Sequence, residues 1–203
     1  MRFVKMVVHY ASLAIGVLAF ESAAAQDWIE YRNPELGFAI NFPGEPSFED
    51  IEYASPSGEI VLPARVFTVL DGDARYSVTV VDYAAHLNEQ HVAIVQAADA
   101  MHARGEVVHE VIGDLDEVFG VQSFVIEADG RQALSSIYFF NERLYIVHGS
   151  VASNARHPVQ FQQSLGIMYA DGTRPNGAGS NPDRIARQRA YEEQQRQLQQ
   201  QEQ

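Results

Sequence analysis

From residue 36 the chain alternates: Phe38, Ile40 and Phe42 are set against Ala39 and Asn41, the period-two pattern of a half-buried strand over 36–42. Pro43, Gly44 and Pro46 end it with turn chemistry. The next strands are predicted at 48–53 and 60–70, joined through Ser55-Pro56-Ser57-Gly58. Pro63 has no ladder donor, which predicts an edge or a bulge there. Asp71-Gly72-Asp73 then turns the chain into a Val- and Thr-rich strand at 76–83.

Beyond residue 88 the period changes. Ile94, Val95, Ala98 and Met101 fall at helical offsets, which predicts a helix over 88–104 with Asn88 as N-cap and Gly105 as C-terminal stop. Alternation returns at 107–112 and 118–128. Asp129-Gly130 signals a hairpin into 134–140, and a bend at Asn141-Glu142 leads into 144–151. A short helix opening at Pro158 and a last short strand at 165–169 follow. Strand runs joined by hairpins and separated from the helices give an α+β fold, a mostly antiparallel β-sheet packed on one or two helices around an aromatic interior. Residues 173–203 change character: a Pro/Gly/Asn linker, then a Gln- and Arg-rich stretch without an apolar stripe, expected to be a solvated, disordered or transiently helical tail.

The start of the chain reads as export machinery. Arg2 and Lys5 precede an uncharged apolar run over 6–20, and Ala23-Ala24-Ala25 offers small residues for cleavage between Ala25 and Gln26. A retained anchor helix is the competing reading; a run this short, interrupted by His9, Tyr10 and Ser12, falls below spanning length. The expected organisation is therefore a signal peptide at 1–25, one domain at 26–172 and a tail at 173–203. The expected location is the periplasm, or beyond it by full secretion, with no stable membrane anchor after cleavage.

Composition narrows the chemistry. Cleavage removes Arg2, Lys5 and Glu21, leaving 12 basic against 26 acidic residues, a net charge of −14. Lys5 is the sole lysine and cysteine is absent, so Schiff bases, P-loop lysines, thiol nucleophiles, thiolate metal sites and disulfides are excluded from the mature chain. Singly spread arginines in an acidic chain argue against nucleic acid.

Trp28-x-x-Tyr31, followed by Gly37-Phe38-x-Ile40-x-Phe42-Pro43-Gly44-x-Pro46, resembles the opening of bacterial exported proteins with the PsbP-like α+β fold. Asn141-x-Arg143-Leu144-Tyr145 and Phe161-x-x-Ser164-Leu165 continue the pattern over residues 28–169, with Leu165 departing from the aromatic expected there. The resemblance implies a fold and no particular activity, because its members include photosynthetic accessory subunits alongside proteins of unknown role.

Candidate chemistry is sparse. His86 and His91 stand five apart, about 140° around a helix, whereas a zinc helix places its histidines four apart. Asp71, Asp73 and Asp82 imitate part of a calcium loop but put Arg75 and Tyr76 where a ligand and a glycine belong. Asp114, Asp116 and Glu117 form another acidic turn. Ser135 and Ser136 lie in a strand without a nucleophile elbow, and His148 alternates with Ile146 as a strand histidine. No catalytic residue, metal ligand or cofactor is expected. Many aromatics of the domain, Phe124 and Tyr138 among them, are read as core, with any outward-facing ones available to line a groove. The expected function is an exported, non-enzymatic accessory or binding protein, whose partner is another exported or membrane-associated protein or a small ligand. The alternative is a periplasmic hydrolase, or a weak metal binder, using His148 or His86/His91. A pocket joining one of these histidines to a buried carboxylate is what that alternative requires.

Overall fold

Consecutive strands of this chain that only two residues separate pair as antiparallel hairpins, and their turns carry the backbone that tight hairpins demand. Asp116-Glu117 and Asn141-Glu142 both hold two successive residues at positive φ, the geometry of a two-residue hairpin turn matching strand twist. The computed structural model describes residues 28–55, 58, 60–86, 90–175, 191, 193 and 196. The predicted leader, its cleavage point between Ala25 and Gln26, the Asn88 cap and most of the tail lie outside the described residues.

Among the described residues two sheets form, not one. The larger has seven strands in the order β3 (Ser47–Ala54), β4 (Val61–Asp71), β5 (Ala74–Asp82), β9 (Arg143–Val151), β8 (Gln132–Phe140), β7 (Val118–Glu127) and β6 (Gly105–Leu115). Every pairing is antiparallel. The smaller has three: β1 (Ile29–Asn33), β2 (Phe38–Phe42) and β10 (Gly166–Ile167). The alternation of Trp28 to Asn33 is too brief to stand out in the sequence, so β1 emerges only through its register with β2. Among the described residues the fold is thus strand-dominated, with helices α1 (Gln90–His102) and α2 (Val159–Gln163) and helical residues at 191, 193 and 196.

Each face of the large sheet has its own core. Phe38, Ile40, Phe42 and Ile167 of the small sheet and Phe161 of α2 pack on Phe67, Tyr76, Val78, Tyr145 and Val147. This is the aromatic interior, with rings such as Phe38 and Phe67 meeting edge-on at 5.2 Å. On the other face, Ala93, Ile94, Ala97 and Ala98 of α1 pack on Val121, Ile137, Phe139, Leu144 and Ile146. Small residues on α1 let it lie close to the sheet. Strand β9 is buried on both faces.

The part of β4 that holds Pro63 has a strand on one side only, as expected: it pairs with β3, while the β4–β5 register begins at Ala64, so the missing donor costs no ladder bond on the β5 side. Two expectations are corrected. Gly105 is no helix stop: its φ lies outside the left-handed region, and it opens β6 where a Cβ would come within 1.9 Å of the Ile126 carbonyl oxygen. Tyr191, in the stretch read as a tail with nothing to bury, is helical and 1% exposed within the α1-side core, its hydroxyl donating to Glu110 Oε1. One aromatic ring supplies the apolar area that a stripe would otherwise provide.

Candidate functional site

Cross-strand partners share a face of a sheet. On the α1 face, one row crosses all seven strands with polar side chains alone: Ser47, Thr68, Ser77, His148, Ser135, Ser123 and Glu110. The adjacent row, through Val66, Ile146, Ile137, Val121 and Ile112, is mostly apolar. Strand register, not sequence proximity, assembles the polar row. At its centre Ser135 Oγ stands 2.9 Å from His148 Nδ1, and both residues are buried, at 2% and 7% exposure.

A second cluster adjoins the histidine. Glu127 Oε1 accepts from Arg104 Nε at 2.7 Å and lies 3.7 Å from His148 Nε2; Glu127 Oε2 accepts from Ser150 Oγ at 2.5 Å. Arg131 donates to Ser150 Oγ at 2.8 Å and to the carbonyls of Ser150 and Asp73. Burial pushes the Glu127 carboxyl up, but the hydrogen bonds of Ser150 and Arg104 outweigh it and hold the group below the usual carboxylate range. His148 is pushed down to about 4, first by burial and then by Arg104, with Arg75 and Arg131 adding to the effect and Glu127 opposing it. It is therefore neutral at pH 7. Its Nε2 faces a carboxylate, which favours the tautomer with the proton on Nε2 and Nδ1 accepting from the Ser135 hydroxyl. At 3.7 Å that proton makes no hydrogen bond to Glu127, and Nε2 is buried without a partner among the described residues.

Helix α1 covers only part of this face. Over the β3–β4–β5–β9 side an open cleft of about 650 Å³ remains, within the usual range for small-ligand sites. Its apolar lining is Ile51, Tyr53, Val66, Leu70, Met101 and Ile146. Its polar lining includes Arg75, Ser77, Thr79 and His148, with Glu127 and Ser150. A second hollow of about 530 Å³, between the β1–β2 loop and the ends of β3 to β5, is lined by Glu35, Asp50, Glu52 and Asp82 against Arg65 and Arg143.

The structure brings His148 together with Ser135 and Glu127, three residues that the chain spreads over 127–148. It does not bring His86 to the cleft: His86 lies half-buried in the loop ahead of α1, while His91 falls within the helix. Asp82 sits at the far end of β5, about 30 Å from Asp73 by strand rise, so the three aspartates of the imitated calcium loop never converge. Asp116 sits on the β6–β7 turn 3.4 Å from Arg174. Among the described residues no group of three or more His, Asp or Glu side chains converges on a metal-sized point, and no helix is long and apolar enough to cross a membrane. Ser77, Arg104, Glu127, Arg131 and Ser150 escape sequence reasoning, since nothing local marks them; period-two parity with Ile146 was the only signal, and it places His148 on this face.

No family model matches the chain, and no curated protein matches it in sequence. Among solved structures, it is similar to the solution structure of cyanobacterial PsbP (CyanoP) from Synechocystis sp. PCC 6803. The two share 17% identity, with 72% of this chain and 95% of the other covered at a TM-score of 0.44.

Proposed function

We propose that this protein is an exported, non-enzymatic binding protein that holds a small molecule in the cleft beside α1. The observation that supports this reading is the half-covered α1 face: an apolar wall and a polar floor meet in a space of ligand size. The α+β, PsbP-like description and the periplasmic location belong to the same proposal. Its test is purification of the mature chain from its native compartment under non-denaturing conditions, followed by native mass spectrometry. A stoichiometric small-molecule adduct, released on denaturation from a chain beginning at Gln26, is the expected result. A bare chain, or a chain that begins at Met1, overturns the corresponding half of the reading.

A second reading rests on Ser135, His148 and Glu127, whose order of contacts imitates a hydrolytic triad. Three features weigh against it. Ser135 is almost fully buried on a regular strand, without the sharp turn that exposes a nucleophile. The carboxylate stands too far from the imidazole to hold it. A histidine that resists protonation is also a weak base at neutral pH. Labelling by a fluorophosphonate that is lost on Ser135→Ala is the result that would restore the hydrolase.

A further inference from the structure

The mature chain is strongly acidic, yet the surroundings of His148 are not. Three arginines, Arg75, Arg104 and Arg131, act on the imidazole, against one carboxylate, Glu127. Arg104 is committed to Glu127, and Arg131 to Ser150 and the Asp73 carbonyl. Arg75 makes no hydrogen bond or ion pair within the described residues, and it sits on β5 directly across from Ser150, one row from His148. The cleft therefore keeps one uncommitted guanidinium and one buried imidazole N–H without an acceptor. Asp73 and Asp129 are exposed on hairpin turns at the end of the cleft. A buried donor left unpaired carries the full cost of its desolvation, so a ligand that supplies an acceptor there gains what the empty protein forgoes.

The geometry points to a monocarboxylate with a compact apolar body as the ligand class: its carboxylate accepts from Arg75 and from His148 Nε2, and its body lies on Ile51, Tyr53, Val66 and Met101. Guanidinium and imidazole donors match carboxylate acceptors in a charge-assisted pair. The apolar wall selects against small inorganic anions, which leave it uncovered. This inference rests on the cleft being the binding site.

The test uses the mature protein, residues 26–203, with four probes: octanoate and phenylacetate, and their uncharged amides octanamide and phenylacetamide. Calorimetry is expected to give saturable binding of at least one carboxylate and about tenfold weaker binding of its amide, the difference a charge-assisted contact contributes. Octanoate and phenylacetate distinguish an alkyl from an aromatic body. Arg75→Gln, at an exposed position that the fold does not need, is expected to erase the preference for the acid. Imidazole ¹H–¹⁵N spectra are expected to move His148 Nε2 on adding the acid and not the amide. Equal affinity for acid and amide overturns the anionic head while leaving a small-molecule cleft in place. Failure of all four probes overturns the ligand class; native mass spectrometry then separates the cases, because a retained neutral adduct keeps the small-molecule reading and a bare chain removes both.

Discussion

His148 owes its character to what surrounds it rather than to its place in the chain. Folded, it takes up its proton near pH 4; unfolded, it does so near its ordinary value of 6.5. Between those values the unfolded chain binds more protons, so stability is complete above about pH 6.5 and falls as the pH drops toward 4. The loss amounts to about 3 kcal/mol for this one group. Glu127 acts in the same direction, since its depressed carboxyl adds stability that vanishes as acid protonates it. Thermal melts from pH 8 to 4 are expected to give a steeper fall in Tm for the natural chain than for His148→Gln. Parallel curves would mean that the imidazole titrates as it does in water. Ser135→Ala removes the acceptor's one donor and is expected to cost about 1 kcal/mol, read by urea titration.

At the level of elements, the hairpins carry information of both signs. Glu142 holds a left-handed backbone that glycine adopts without strain. Its amide carbonyl still accepts from Tyr83 N at 2.8 Å, a bond that the side chain does not affect. Glu142→Gly is expected to raise stability by about 1 kcal/mol, measured by denaturant titration. Gly105→Ala tests the opposite case. The added methyl would meet the backbone of Ile126 and Glu127, which cannot swing aside as a side chain can. A loss of about 3 kcal/mol is expected, and a neutral result would show that the β6–β7 ladder opens freely there. Both edges of the large sheet carry acids: Glu49, Asp50 and Glu52 on β3, and Glu106, Glu110 and Asp114 on β6. Like charges on the two edges oppose edge-to-edge stacking of copies even where Val108, Val111 and Ile112 are exposed.

For the whole molecule, the question is how far the C-terminal segment belongs to the fold. Tyr191 completes the α1-side core and reaches Glu110, whose other carboxylate oxygen lies 3.0 Å from His102 Nε2. Burial pushes the Glu110 carboxyl up, and the hydrogen bonds of His102 and Tyr191 bring it back below its ordinary value. Removal of the chain after residue 175 is expected to lower stability by about 4 kcal/mol, and Tyr191→Ala by a similar amount, as for other buried aromatics. Tyr191→Phe keeps the ring and gives up only the hydroxyl, about 1 kcal/mol. Melts that match for the full and shortened chains would place Tyr191 outside the cooperative unit.

Local regularities were readable because their causes are local. Phe38, Ile40 and Phe42 face one way because side chains alternate along any strand, and Asp129-Gly130 turns the chain because glycine tolerates positive φ. The antiparallel, helix-poor character follows from such signals, as does the placement of His148 on one face with Ile146. What tertiary structure decided is register. A shift of one strand by two residues would keep every alternation and yet separate His148 from Ser135 and Ser77. The split into two sheets, the burial of Tyr191 and the convergence of Arg75, Arg104 and Arg131 around one imidazole likewise depend on contacts between distant segments. Those contacts are selected by the packing of the whole core, which no short window of sequence contains.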